Sequence, residues 1–209
     1  HGTFVAAAGE YPGRWFDESF RKPEGDPDAR AERLWAEAKA SAIARTDGPT
    51  SLVLTRQALP PMPRSAAQTA DIGRGGYVLA DCDGRPDCVL IATGSEVALA
   101  MEAAKGLAEK GRKLRVVSMP CTSLFDIQPQ QYRDGVLPPD VPRVAIEAGV
   151  RDAWWRYVAC GGAVIGMDSF GASAPAKQLF EHFGFTRDNV IRVVEGLLAR
   201  RGQHRPQLA

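Results

Sequence analysis

A short apolar run, Ser51-Leu52-Val53-Leu54-Thr55-Arg56-Gln57, ends on an arginine whose type and place suit the capture of an anion. Strands of open α/β folds bind ligands at their carboxyl ends, and a guanidinium's planar fork matches phosphate or carboxylate. Pro60 and Pro61 fix the chain soon afterwards, so Arg56 is the candidate substrate-binding residue. Glu147 is the second candidate. It ends an apolar strand before Ala148-Gly149, where burial raises a carboxyl pKa towards acid–base use. A hydrogen-bonded structural carboxylate at a helix start fits the same residues. Neither a nucleophile nor a second base stands at a readable spacing from it, so no catalytic residue is assigned.

Thr93-Gly94-Ser95-Glu96 lies between an expected strand and helix, where backbone N–H groups can cradle a phosphate. A capping box explains it more simply, with Thr93 accepting from the Glu96 backbone and Glu96 reaching back. The further glycines of a dinucleotide fingerprint are missing. Gly161-Gly162 and the Gly166 to Gly171 stretch read first as turns and close strand packing. Trp154 and Trp155 cannot both face one core on a helix, so the pair reads either as core and boundary aromatics or as a partner-binding patch. His182, beside Phe183 in an amphipathic stretch, reads as a packed or surface histidine.

Histidines stand at His1, His182 and His204, too scattered for a zinc or facial metal site. Cys82, Cys88, Cys121 and Cys160 form no C-x-x-C pair and read as free thiols of a reducing compartment. With 26 Lys and Arg against 25 Asp and Glu, the net charge of +1 provides no field for nucleic acid. No apolar run has membrane-spanning length and no signal peptide opens the chain, so the expected location is the cytoplasm. Because the chain begins at His1 rather than methionine, processing or truncation is expected to have removed its start.

These residues need elements to position them. Residues 1 to 45 are expected as a weakly patterned segment with one helix, from Asp28 to Arg45, stopped by Asp47-Gly48-Pro49. Residues 46–60 hold the strand that leads to Arg56, and the prolines at 60, 61 and 63 open an extended linker over 61–73. From 74 to 201 strand and helix alternate, the pattern of a mostly parallel sheet covered on both faces; 202–209 is a tail. The expected strands are Gly76 to Leu79, Cys88 to Ala92, Leu114 to Ser118, Val144 to Glu147 and Ala163 to Met167. Helices are expected over Ser95 to Lys110, Asp152 to Cys160, Pro175 to Phe183 and Arg187 to Arg201.

From about Asp47 to Leu198 the chain resembles the end of bacterial transketolases. The landmarks are Gly48-Pro49-Thr50 with Leu54-Thr55-Arg56-Gln57, Gly75-Gly76-Tyr77-Val78, Ala92-Thr93-Gly94-Ser95-Glu96-Val97 and Val116-Val117-Ser118-Met119-Pro120. Arg143 to Gly149, Phe170 to Ala176 and His182-Phe183-Gly184-Phe185-Thr186 follow in family order. The resemblance implies an α/β fold. A three-layer domain with a mostly parallel five-stranded sheet would follow the last strand of a pyrimidine-binding-type domain. It also implies transfer of two-carbon ketol units between sugar phosphates, with thiamine diphosphate and a divalent metal held between two subunits. Arg56 stands where the family contacts the substrate phosphate.

The family's Gly-Asp-Gly followed by Asn is missing, since Asn189 is the chain's one asparagine, so no cofactor or metal is expected to bind this chain itself. The leading expectation is the C-terminal portion of a transketolase, inactive alone, supporting a homodimer and touching sugar phosphate once assembled with the missing domains. Two alternatives stand beside it. One is a free-standing module docking on a thiamine enzyme; the other is a small α/β nucleotide-binding protein using Thr93 to Glu96 and Glu147.

Overall fold

The computed structural model describes residues 2–6, 36, 39–40, 42–46, 48–54, 59–60, 62–158 and 161–203. In chain order its elements are β1 (Gly2–Ala6), β2 (Thr50–Leu54), α1 (Ala66–Ala70), β3 (Tyr77–Ala80), β4 (Cys88–Ala92), α2 (Glu96–Ala108), β5 (Leu114–Ser118), α3 (Thr122–Asp126) and α4 (Gln130–Val136). Then come β6 (Arg143–Val150), α5 (Trp155–Val158), β7 (Ala163–Met167), α6 (Ala176–His182) and α7 (Arg187–Gln203). Helical residues also occur at 36, 39–40 and 42–44, within the helix expected before Asp47.

The main sheet has five strands in the order β3-β5-β4-β6-β7. β4 is its centre. All five residues of β4 are apolar and buried, as a strand covered on both faces requires. It runs parallel to β5 and β6, and β7 runs parallel to β6, while β3 closes the far edge antiparallel to β5. The alternation of side chains splits the core into two layers. Leu90, Ala92, Val116, Val144 and Ile146 face α2 and α7, with Val97, Leu107, Val190 and Val194 packed on them. Val89, Ile91, Val117 and Ala145 face the opposite way, towards Phe125 of α3, Val136 of α4, Trp154 of the turn before α5 and Tyr157 of α5.

The chain leaves β4 to one side, through α2 to β5, and returns on the other side of β4 as β6. The carboxyl ends of β4 and β6 therefore flank the point where the strand order reverses, the place at which open α/β sheets take ligands. A separate two-stranded parallel sheet pairs β1 with β2 in the register Gly2↔Thr50 to Ala6↔Leu54. Leu52 of β2 packs against the main core, and Val53 is half exposed.

Several local expectations differ from what forms. The stretch 61–73 holds α1 and all but the last residue of a 3₁₀ turn, Asp71–Arg74. Ser65 caps α1 through a full capping box with Gln68, a signal that the preceding prolines obscure. Two short helices, α3 and α4, occupy the connection between β5 and β6 where none was expected. The helix expected over Asp152 to Cys160 is a 3₁₀ turn, Asp152–Trp154, followed by the single turn of α5; residues 159 and 160 lie outside the described residues.

Candidate functional site

The mouth of β4 and β6 is built from the residues that follow the two strands. Ala92 pairs with Ile146, so the next residues, Thr93 and Glu147, leave neighbouring parallel strands side by side. A tight turn with Gly94 at φ +56° carries the chain from Thr93 into α2. Glu96 is the first helical residue and only 3% exposed. Its carboxylate accepts a hydrogen bond from Ser95 Oγ at 2.7 Å. The expected capping box is not what forms. Thr93 contributes its backbone carbonyl to Glu96 N at 3.2 Å, and its buried hydroxyl has no partner among the described residues. The close turn leaves Ser95 rather than Thr93 beside the Glu96 carboxyl.

Glu147 lies inside β6 rather than at a helix start. Its Oε2 is covered and unpartnered among the described residues. Burial, with the charge of Glu96 adding to it, pushes its pKa up to about 8. Burial also raises the pKa of Glu96, opposed by the Ser95 hydroxyl and the backbone. The mouth thus joins two acidic groups that the sequence places far apart. Proton exchange is the chemistry within their reach, and the hydroxyls beside them are those of Ser95 and Thr93.

A groove of about 510 Å³ lies beside this mouth, between α2 and the segment from α6 to the start of α7. Leu99, Phe180 and Phe185 give it apolar walls, with Lys177, Glu102 and Arg187 on the rim. The two phenylalanine rings stand 5.5 Å apart. Arg187 reaches Glu109 at 3.9 Å across Gly106, where a Cβ would come within 2.4 Å of the guanidinium. Nothing in the local sequence pattern marked this groove, because its walls come from helices remote in the chain.

Arg56 falls in residues 55–58, outside the described residues. The tryptophan pair divides as expected: Trp154 is 6% exposed and Trp155 48%. Gly161 has φ +85°, and a Cβ on Gly162 would meet Val158 O at 2.4 Å, so the pair makes a turn and a close approach. His182 lies edge-on to Phe183 at 4.8 Å. Cys82, Cys88 and Cys121 are free thiols, and burial pushes Cys88 up to about 12, away from reactivity. Among the described residues no three His, Cys, Asp or Glu gather as metal ligands, and no helix is long and apolar enough to cross a membrane. Asn189 is committed to the start of α7, where its amide donates to Gly184 O at 2.7 Å. These residues do not fit a diphosphate-bound metal.

Residues 75–186 match the family model of the transketolase-like TK C-terminal domain. Transketolase 2 of Vibrio vulnificus is 57% identical over 159 residues, covering 76% of this chain and 24% of the relative. Among solved structures, the transketolase of Leishmania mexicana superposes with a TM-score of 0.75 at 35% identity, over 95% of this chain and 25% of that one. A Pichia stipitis transketolase in complex with sedoheptulose-7-phosphate gives a TM-score of 0.74 at 36% identity, over 82% and 24% of the two chains. The chain therefore spans about a quarter of the length of the relatives it matches.

Proposed function

The chain belongs to the transketolase-like C-terminal domain family, and from that premise we propose that it is the C-terminal portion of a transketolase, working only in assembly with the enzyme's remaining domains. In that assembly it supports a homodimer and lends Arg56 as a contact to the phosphate of sugar substrates during transfer of two-carbon ketol units. The observation that carries this reading is the 57% identity sustained over 159 residues. Residues 46–60 supply the terminal strand of a pyrimidine-binding-type domain, and about 74 to 201 form the C-terminal domain, with the stretch between them as the connection. Thiamine diphosphate and the divalent metal would be held by the other domains and would supply the ketol-transfer chemistry there; this chain's share is to orient a phosphorylated sugar and to hold the dimer.

Arg56 follows β2 by two residues in the sequence, and open α/β sheets take ligands at the carboxyl ends of their strands. A planar fork binds two phosphate oxygens at once, which an ammonium cannot do. The test joins this chain to the Vibrio vulnificus transketolase in place of the matching C-terminal quarter. Arg56→Lys is expected to lower kcat/KM for phosphorylated sugars by about 1–3 kcal/mol of transition-state binding, the scale of a charge-assisted hydrogen bond, while unphosphorylated sugars change little. Equal losses for both classes would show that Arg56 acts through structure and not through phosphate.

A further inference from the structure

Of the six large apolar side chains that stay exposed among the described residues, three stand at the carboxyl end of the β6–β7 pair. Val150 is the last residue of β6, Trp155 opens α5, and Phe170 follows β7 by three residues; they are 69%, 48% and 98% exposed. Arg151 joins the three. Its guanidinium is ion-paired with Asp168, two residues before Phe170. Its stem crosses β7 over Gly166, where a Cβ would stand 2.5 Å from Arg151 Cγ. Its carbonyl accepts from Trp154 N at 2.9 Å, which closes the turn that sends Trp154 into the core and Trp155 outward. Arg151 and Asp168 neutralise each other, so this patch offers a partner apolar area rather than charge.

The same end of the main sheet already meets the small one. β1 packs against α3, the helix that follows the carboxyl end of β5, and Leu52 of β2 packs on the main core. Val53, on the other face of β2, is left 50% exposed.

We propose, on the reading of this chain as a C-terminal portion, that Val150, Trp155 and Phe170 are the surface on which the preceding transketolase domain of the same polypeptide docks, through an apolar, uncharged face. Area argues against a free second copy as the occupant. Aromatic side chains bury about 150–250 Å² each, so the patch is on the order of 400 Å², whereas a stable free-standing complex takes about 800 Å² from each partner. A domain joined through the chain needs less, because the covalent link keeps it at high effective concentration. The relatives have such a domain, since the match with the Vibrio vulnificus enzyme leaves three quarters of that protein outside it. The part that continues the small sheet enters at the end of the main sheet where the patch stands.

The test is hydroxyl-radical footprinting read by mass spectrometry, on the full chain alone and on the chain joined to the preceding three quarters of the Vibrio vulnificus enzyme. In the chain alone, Trp155 and Phe170 are expected to oxidise much faster than the buried Trp154 and Phe125. In the joined protein that difference is expected to vanish. Phe170→Ser should leave the urea midpoint of the chain alone unchanged, since the ring already faces water, and lower that of the joined protein. A joined protein that turns over while Trp155 and Phe170 oxidise as fast as in the chain alone overturns the docking surface and leaves the C-terminal reading standing. A joined protein without ketol transfer sinks that reading, and the surface with it. Protection that appears in the chain alone as its concentration rises, with a dimer in sedimentation, gives the patch to a second copy and equally overturns the proposal.

Discussion

Arg143 carries a charged side chain into the start of β6 and is held there by main-chain carbonyls. One terminal nitrogen donates to Tyr157 O at 2.8 Å, and the other donates to Leu137 O and Pro138 O, both at 3.0 Å. One guanidinium thereby ties together the end of α4, the loop after it and α5. Arg143→Met keeps much of the stem but strands those acceptors. It is expected to cost about 3 kcal/mol, since each buried unsatisfied group costs ~1–3 kcal/mol and some rehydrate. Urea denaturation of the two chains measures the difference, and a loss below about 1 kcal/mol would mean that the carbonyls find water. Single residues were legible in the sequence where chemistry broke a local pattern. Glu147 stood out as a charge closing an apolar run. Glu96 stood out only as part of a capping box, because it is strand register across the sheet, Ala92 opposite Ile146, that brings its turn beside Glu147. Arg143 begins the same run, but its sequence says nothing of the carbonyls that surround it.

At the scale of elements, α1 shows how a short helix is fixed by side chains rather than by length. Ser65 Oγ accepts from Gln68 N at 3.2 Å, and Gln68 Oε1 accepts from Ser65 N at 3.0 Å. The Gln68 amide nitrogen then donates to Val78 O at 3.0 Å and Leu79 O at 2.8 Å, which covers carbonyls of the antiparallel edge strand β3. Ser65→Ala removes the cap and loosens that cover. A loss of about 1 kcal/mol is expected, the usual value of an N-cap hydroxyl. Hydrogen exchange should show it as faster exchange at the start of α1, and unchanged exchange would mean that Gln68 alone holds the helix. The central strands were readable because each is a short run of Val, Ile and Leu between turns, the pattern of a strand buried on both faces. α3 and α4 were not, for they have 5 and 7 residues and too few turns to establish a period. The prolines at 60, 61 and 63 drew attention from Ser65 and Gln68, whose spacing announces a helix start.

At the scale of the whole molecule, two core layers on one sheet give a unit that folds around β4, with the mouth of β4 and β6 at the end where open α/β sheets take ligands. The family of the chain was legible because its landmarks lie at turns and strand ends, where geometry restricts residue choice: Gly75 has φ +82°, and a Cβ there would stand 2.2 Å from Cys121 O. The groove beside α2 was not legible, since its walls assemble only when α6 and α7 fold back onto that helix. Among the described residues no three His, Cys, Asp or Glu gather as metal ligands, and the role proposed for this chain in ketol transfer is a phosphate contact made in assembly with further transketolase domains. The most direct test is to measure ketol transfer with thiamine diphosphate, magnesium, a ketose phosphate donor and an aldose phosphate acceptor. The purified chain is assayed alone and joined to the preceding three quarters of the Vibrio vulnificus enzyme. The account predicts no turnover by the chain alone and turnover by the joined protein; turnover by the chain alone, abolished by chelation of the metal, would contradict it.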